Sequence, residues 1–162
     1  MSCKICKRNT KDKLCKKHAK IYLWDSALQG FRLKKRNTGS RYTQSKYHQT
    51  ETILVKLLER MYSRPEIITS FHPIWAESPK EVLYEYDIHI KGTNILIEYN
   101  GRQHYEFVKF FHKKLGNFKK QIQRDKYKQQ LAISNGYKLI VFKHDEPITY
   151  NHVYNKLKSI NL

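Results

Sequence analysis

The chain has 162 residues and sets 32 Lys and Arg against 14 Asp and Glu, a formal charge of +18 and a pI near 9.8. So strong a basic excess is the footprint of a polyanion partner, usually nucleic acid, and 12 Tyr, 7 Phe and 2 Trp accompany it. No apolar run approaches the roughly 18–20 residues that span a bilayer, no apolar leader core is visible at the N-terminus, and three Cys within the first 15 residues are no disulfide framework, which predicts a reducing, intracellular setting such as a bacterial host's cytoplasm or its nucleoid.

Residues 1–20 hold Cys3 and Cys6 as one C-x2-C knuckle and Cys15 with His18 as a C-x2-H knuckle. Four such ligands match the tetrahedral demand of structural Zn²⁺. A segment this short has no core, so the metal would supply its folding energy. Residues 21–30 carry Tyr22, Leu23, Trp24, Ala27 and Leu28, and the pattern predicts a short amphipathic helix. A basic linker follows to residue 48, without an acid and with Tyr42 and Tyr47 interleaved. Its Arg32, Lys34, Lys35, Arg36 and Arg41 are candidates to track phosphates.

From residue 49 to the end the chain reads as one α/β domain. Ile53, Leu54, Leu57, Leu58 and Met61 recur at helical spacing, and the helix stops before Arg64-Pro65. Glu51 lies in its first turn, where an acid favours a helix N-terminus. Residues 67–74 read as a strand, and residues 82–90 as a second with alternating character. A turn at Lys91-Gly92-Thr93-Asn94 leads into a third strand, residues 95–99. A basic helix over 118–135 is closed by Asn135-Gly136, a buried strand covers 137–142, and a short helix falls near 151–159.

The hairpin carries the chemistry. If Ile90 and Ile95 pair as antiparallel neighbours, Asp87 falls opposite Glu98. Like charges facing each other across a ladder are destabilising, and a buried unpaired carboxylate costs far more. A divalent cation between them is the simplest compensation. Such an ion lowers the pKa of a bound water and neutralises charge on a phosphate. His104, beyond the Gly101 turn, is a candidate ligand or general acid/base. Asp125, beside Arg124 on the next helix, reads on position alone as an ordinary ion pair.

Ile97-Glu98-Tyr99-Asn100-Gly101-Arg102-Gln103-His104-Tyr105 resembles the IExDGxQHY signature of small nucleases related to the very-short-patch-repair endonuclease. Arg124-Asp125 and Gly136-Tyr137-Lys138-Leu139-Ile140-Val141-Phe142 resemble that family's later Arg-Asp pair and its GY-initiated strand. His72-Pro73-Ile74 is similar to its HPI segment. The ordered set Glu51, Asp87, His104, Asp125 is similar to the EDxHD variant of the PD-(D/E)xK nuclease fold, a variant also found in phage intron-associated homing endonucleases. The resemblance covers roughly residues 45–145 and implies a restriction-endonuclease-like core, a mixed central sheet flanked by helices.

By that resemblance Asp87 is the main Mg²⁺ ligand, Glu98 the second acid and His104 the catalytic histidine, with Glu51 and Asp125 completing or orienting the centre. Arg102 and Arg124, inside the matched motifs, join the candidate DNA contacts. Asn100 stands where the signature has Asp and where an E-x-K nuclease has its Lys, so Gln103 or His104 must replace that Lys or activity is altered. The implied function is a metal-dependent DNA endonuclease of a phage or mobile element, with a homodimer on duplex DNA left open. The alternatives are a mismatch-nicking repair or restriction endonuclease, and a nucleic-acid-binding module with an inactive nuclease-like domain.

Overall fold

The computed structural model of the chain describes residues 4–5, 22–25, 30–33, 49–62 and 67–160. Among the described residues six strands lie side by side in chain order: β1 (Tyr22–Asp25), β2 (Gly30–Leu33), β3 (Ile67–Pro73), β4 (Tyr86–Ile90), β5 (Ile95–Asn100) and β6 (Lys138–Lys143). Strands β1 to β5 pair antiparallel in succession, and β6 then joins β5 in parallel. The helices are α1 (Gln49–Met61), α2 (Lys109–His112), α3 (Leu115–Ser134) and α4 (Tyr150–Lys158). Both α2 and α3 lie in the β5–β6 connection, since two parallel neighbours need a long crossover. The α/β class and the mixed sheet flanked by helices are therefore as the sequence predicts.

The β3–β6 sheet is covered on both faces, which is why its strands read as near-continuous apolar runs. Leu54 and Leu58 of α1 and Val153 and Leu157 of α4 pack with Ile88, Ile90, Ile95, Ile97, Ile140 and Phe142 in one cluster. On the other side Ile68, Phe71, Tyr86 and Leu96 pack with Ala76 and with Ala132 of α3. His89 belongs to this second face and is buried, stacked on Phe71 at 4.9 Å with its Nδ1 donating to the Ile95 carbonyl at 3.2 Å.

Three expectations change. Residues 21–30 do not form a helix: β1 and β2 pair with Tyr22 opposite Leu33 and Asp25 opposite Gly30, and β2 continues onto β3 through Phe31 and His72. The edge of an existing sheet offers unpaired backbone groups, and that tertiary pairing overrides a weak local helical pattern. The second strand also starts later than residue 82. Glu81 has a φ of 58° and Ser78 exchanges hydrogen bonds with Val82, so a tight turn occupies that stretch and only Leu83 bridges back to Glu77. Nor does strict alternation hold along β4, for Tyr86 and Ile88 pack in different clusters. Ser70, opposite Asp87 by the β3–β4 register, sits at a φ of 50°, a left-handed kink that re-aims the ladder at this point.

The zinc candidates Cys3, Cys6, Cys15 and His18 lie outside the described residues, as do Lys34, Lys35, Arg36 and Arg41. Arg32 falls within β2. Among the described residues no helix is long and apolar enough to cross a membrane.

Leu58 is fully buried between α1 and the sheet. Leu58→Ala should lower the unfolding free energy by about 3 kcal/mol, measured by urea denaturation.

Candidate active site

The β4–β5 register places Ile88 opposite Ile97 and His89 opposite Leu96. Continued by one position it sets Asp87 across from Glu98, as the hairpin reading requires. Neither carboxylate is left uncompensated. Asp87 Oδ2 accepts a hydrogen bond from the Tyr99 backbone N–H at 2.8 Å. Glu98 Oε1 accepts one from Lys128 Nζ at 2.6 Å, with side chains only 11% and 13% exposed. A cation already lies against Glu98, and it is a lysine from α3.

Lys128 is itself held. Its ammonium sits 5.0 Å from the centroid of the Tyr86 ring, and the Tyr86 hydroxyl donates to the Lys128 carbonyl at 2.8 Å. Tyr86 therefore ties β4 to the α3 turn that delivers the lysine. One turn earlier on the same helix, Asp125 Oδ2 meets His104 Nδ1 at 2.7 Å, while Arg124 Nε lies 3.6 Å from Asp125 Oδ1. Residues three apart share a helix face, so α3 presents Asp125 and Lys128 together.

The geometry gathers the candidates around two adjoining cavities. Glu98, Asn100, His104, Asp125 and Lys128 line one of about 490 Å³. Glu51, Asp87, Arg102 and Gln103 line another of about 770 Å³. Strand β5 and the short turn Arg102–His104 contribute to both. Gly101 opens that turn, and a side chain there would meet the Gln103 amide at 2.4 Å. Asn100, in the lysine position of an E-x-K centre, hydrogen-bonds Tyr105 through its side chain. Arg102 forms an exposed ion pair with Glu106 at 2.6 Å. His72, from the HPI segment, is buried and lies 3.2 Å from Glu85, a structural placement in β3.

Burial raises the Asp87 carboxyl above its ordinary range, against the pull of the Tyr99 N–H and the Lys128 charge. Glu98 is pushed up to about 7, first by burial, with Lys128 opposing and Asp87 adding to the rise. Burial also acts upward on Asp125, but its hydrogen bond and charge contact with His104 outweigh it and hold that carboxyl below the usual range. Three carboxyls thus differ in proton affinity because of their settings, a pattern that clusters at functional sites.

Among the described residues no group of three or more His, Cys, Asp or Glu is disposed to hold a metal ion. The donor set nonetheless suits Mg²⁺, a hard ion usually bound through one or two carboxylates with waters and substrate phosphates completing its shell. Asp87 and Glu98 are two such carboxylates. Lys128 had no motif to mark it in the sequence; the one available signal was its helical spacing from Asp125.

No family model matches the chain, and no solved structure does. Two viral proteins are similar to it. Uncharacterized protein 307L of Invertebrate iridescent virus 6 is 30% identical over 98 residues, 60% of this chain and 49% of that protein. Uncharacterized protein 094L of Frog virus 3 (isolate Goorha) is 38% identical over 77 residues, 47% of each chain. The chain spans about half the length of these curated relatives.

Lys128→Met should leave Glu98 without its cation and cost about 3 kcal/mol of stability. The sign with pH follows from Glu98. Its folded pKa, already about 7, rises further in the variant, so stability is retained below the unfolded carboxyl pKa of about 4.3 and lost as pH climbs through the folded value. Denaturation at pH 5 and pH 8 (~3 units apart) should show the larger deficit at the higher pH; equal deficits would contradict the pairing.

Proposed function

We propose that this chain is a Mg²⁺-dependent DNA endonuclease of the EDxHD type, from a virus or other mobile element. The observation that carries the reading is the His104–Asp125 hydrogen bond beside the Glu98–Lys128 pair, with Asp87 across the ladder from Glu98. A histidine oriented by a carboxylate is a proton-transfer device, and paired raised carboxylates are a device for binding a hard cation. The net charge of +18 favours approach of the phosphodiester to them.

In this reading Asp87 and Glu98 hold the ion, with Glu51 sharing the Asp87 cavity. Bound Mg²⁺ would offset charge on the scissile phosphate and acidify a water. His104, its Nδ1 engaged by Asp125, exchanges a proton through Nε2. Lys128 favours the ionised form of Glu98 against the push of burial and places a positive charge in the cavity that Asn100 cannot supply. It thereby takes the part of the lysine missing from the E-x-K position, in place of the Gln103 or His104 weighed from the sequence. Zn²⁺ on Cys3, Cys6, Cys15 and His18 would fold a separate DNA-gripping knuckle, and the homing, mismatch-nicking and restriction variants differ in target rather than in this centre.

The test is cleavage of long duplex DNA with Mg²⁺. Asp87→Asn and His104→Ala should each slow it by at least about 100-fold, while DNA binding in Ca²⁺ stays within about threefold. A wild type that binds but never cuts would leave a binding module. With Glu98 near 7, Mg²⁺ affinity should rise as pH climbs toward that value, because the ligand must lose its proton, and then level off. Titration with Mg²⁺ across pH reads this directly.

A further inference from the structure

Helix α3 has 20 residues, yet Ala132 alone among them is buried. A helix of this length normally sinks an apolar stripe into a core. Here Ile122, Asp125, Lys128 and Gln129 line the carboxylate cavity, and Lys120, Arg124 and Tyr127, at i, i+4 and i+7, line a different groove. That second groove, about 860 Å³, lies between α3 and the turn that carries Lys80 and Tyr84, with Phe111 at one end. Phe111 also lines the Asp87 cavity, so the groove and the proposed catalytic centre adjoin.

Its lining has a definite chemistry. Lys80, Lys120 and Arg124 contribute positive charge, and no carboxylate lines the groove, unlike either cavity of the active site; Arg124 Nε also lies 3.6 Å from Asp125 Oδ1 behind the wall. Tyr84 and Tyr127 meet edge to face at 6.0 Å, and Tyr127 remains 36% and Phe111 45% exposed. Asn117 and Gln123, both exposed, add amide donors and acceptors to the same wall. Cations that follow a backbone, aromatic faces that take bases and amides that meet base edges together suit a nucleic acid strand whose bases are unpaired. In a duplex the base faces are already stacked on each other. An acidic peptide would use the cations and leave the rings idle.

We infer that the outer groove of α3 binds a single-stranded segment of DNA, with a base against Tyr127 and the backbone along Lys120 and Arg124. The proposal deepens the nuclease reading by naming the state of the substrate beside the cut. It borrows from that reading only the identity of the polymer, since strand binding needs no cleavage.

Fluorescence anisotropy tests it, using the full chain without added divalent ions and a labelled mixed-sequence oligonucleotide, single-stranded or as the duplex. Tyr127→Ala should weaken single-strand binding about tenfold and duplex binding less than about twofold. Tyr127→Phe, which keeps the ring, should bind as wild type. Lys120→Ala with Arg124→Ala, both exposed positions, should flatten the salt dependence of single-strand binding by about 0.7 per cation removed. A Tyr127→Ala chain that binds the single strand as wild type overturns the proposal, as does an equal loss for strand and duplex. So does a wild type that prefers polyglutamate to the oligonucleotide. A wild type that cuts no DNA but shows the Tyr127 effect rejects the nuclease and keeps the groove.

Discussion

The described sheet and its helices are arranged around two carboxylates, Asp87 and Glu98, set within largely apolar strands. Strands β4 and β5 are buried by α1 and α4 on one face and by α3 on the other. An acid emerging from such a hairpin loses most of its hydration, so each must find a partner in the protein. Asp87 finds a backbone N–H one residue beyond Glu98, and Glu98 finds Lys128. These partners keep the two like charges tolerable at the same rung, and they fix where the neighbouring elements must sit.

Helix α3 is the element so fixed. Tyr86 beneath the Lys128 ammonium and bonded to its carbonyl sets the helix's height along β4. Asp125 then falls where His104 can reach it, and the Gly101 turn brings His104 there. Position along the helix axis, rather than apolar packing, thus coordinates three groups that come from β5, from the turn after it and from α3. The same register leaves Lys120, Arg124 and Tyr127 on the other side, facing the second groove.

Much of this was legible in the chain. Apolar periodicity placed α1 and β3 with little error, the Asn135-Gly136 stop ended α3 where Gly136 takes a φ of 77°, and a four-residue turn set the hairpin register. The family pattern set His104 and Asp125 in one centre without naming a contact between them, and no local rule joins a turn to a helix 21 residues later. What escaped was tertiary. Residues 21–30 look helical alone and become strands because an open sheet edge is beside them. The compensating cation was sought as a metal because its protein source is 30 residues from Glu98, and one lysine among many in a chain this basic carries no mark of its burial. The Ser70 kink was hidden too, since serine is an unremarkable residue in a strand and its left-handed backbone answers to the ladder around Asp87.

The near-absence of buried residues on α3 bears on how such a protein diversifies. Core positions resist change because each substitution leaves a void or a clash, and on this helix that restraint acts at Ala132 alone. Of the other positions, Asn117, Phe118 and Gln121 hold His112 and Tyr127 meets Tyr84, while Asp125 and Lys128 contact the carboxylate centre. Exposed groove-side positions such as Lys120 and Gln123 can therefore be exchanged with little loss of stability while the sheet and its acids stay as they are. Under the proposed strand-binding role, variation at those positions would retune the groove without disturbing the fold.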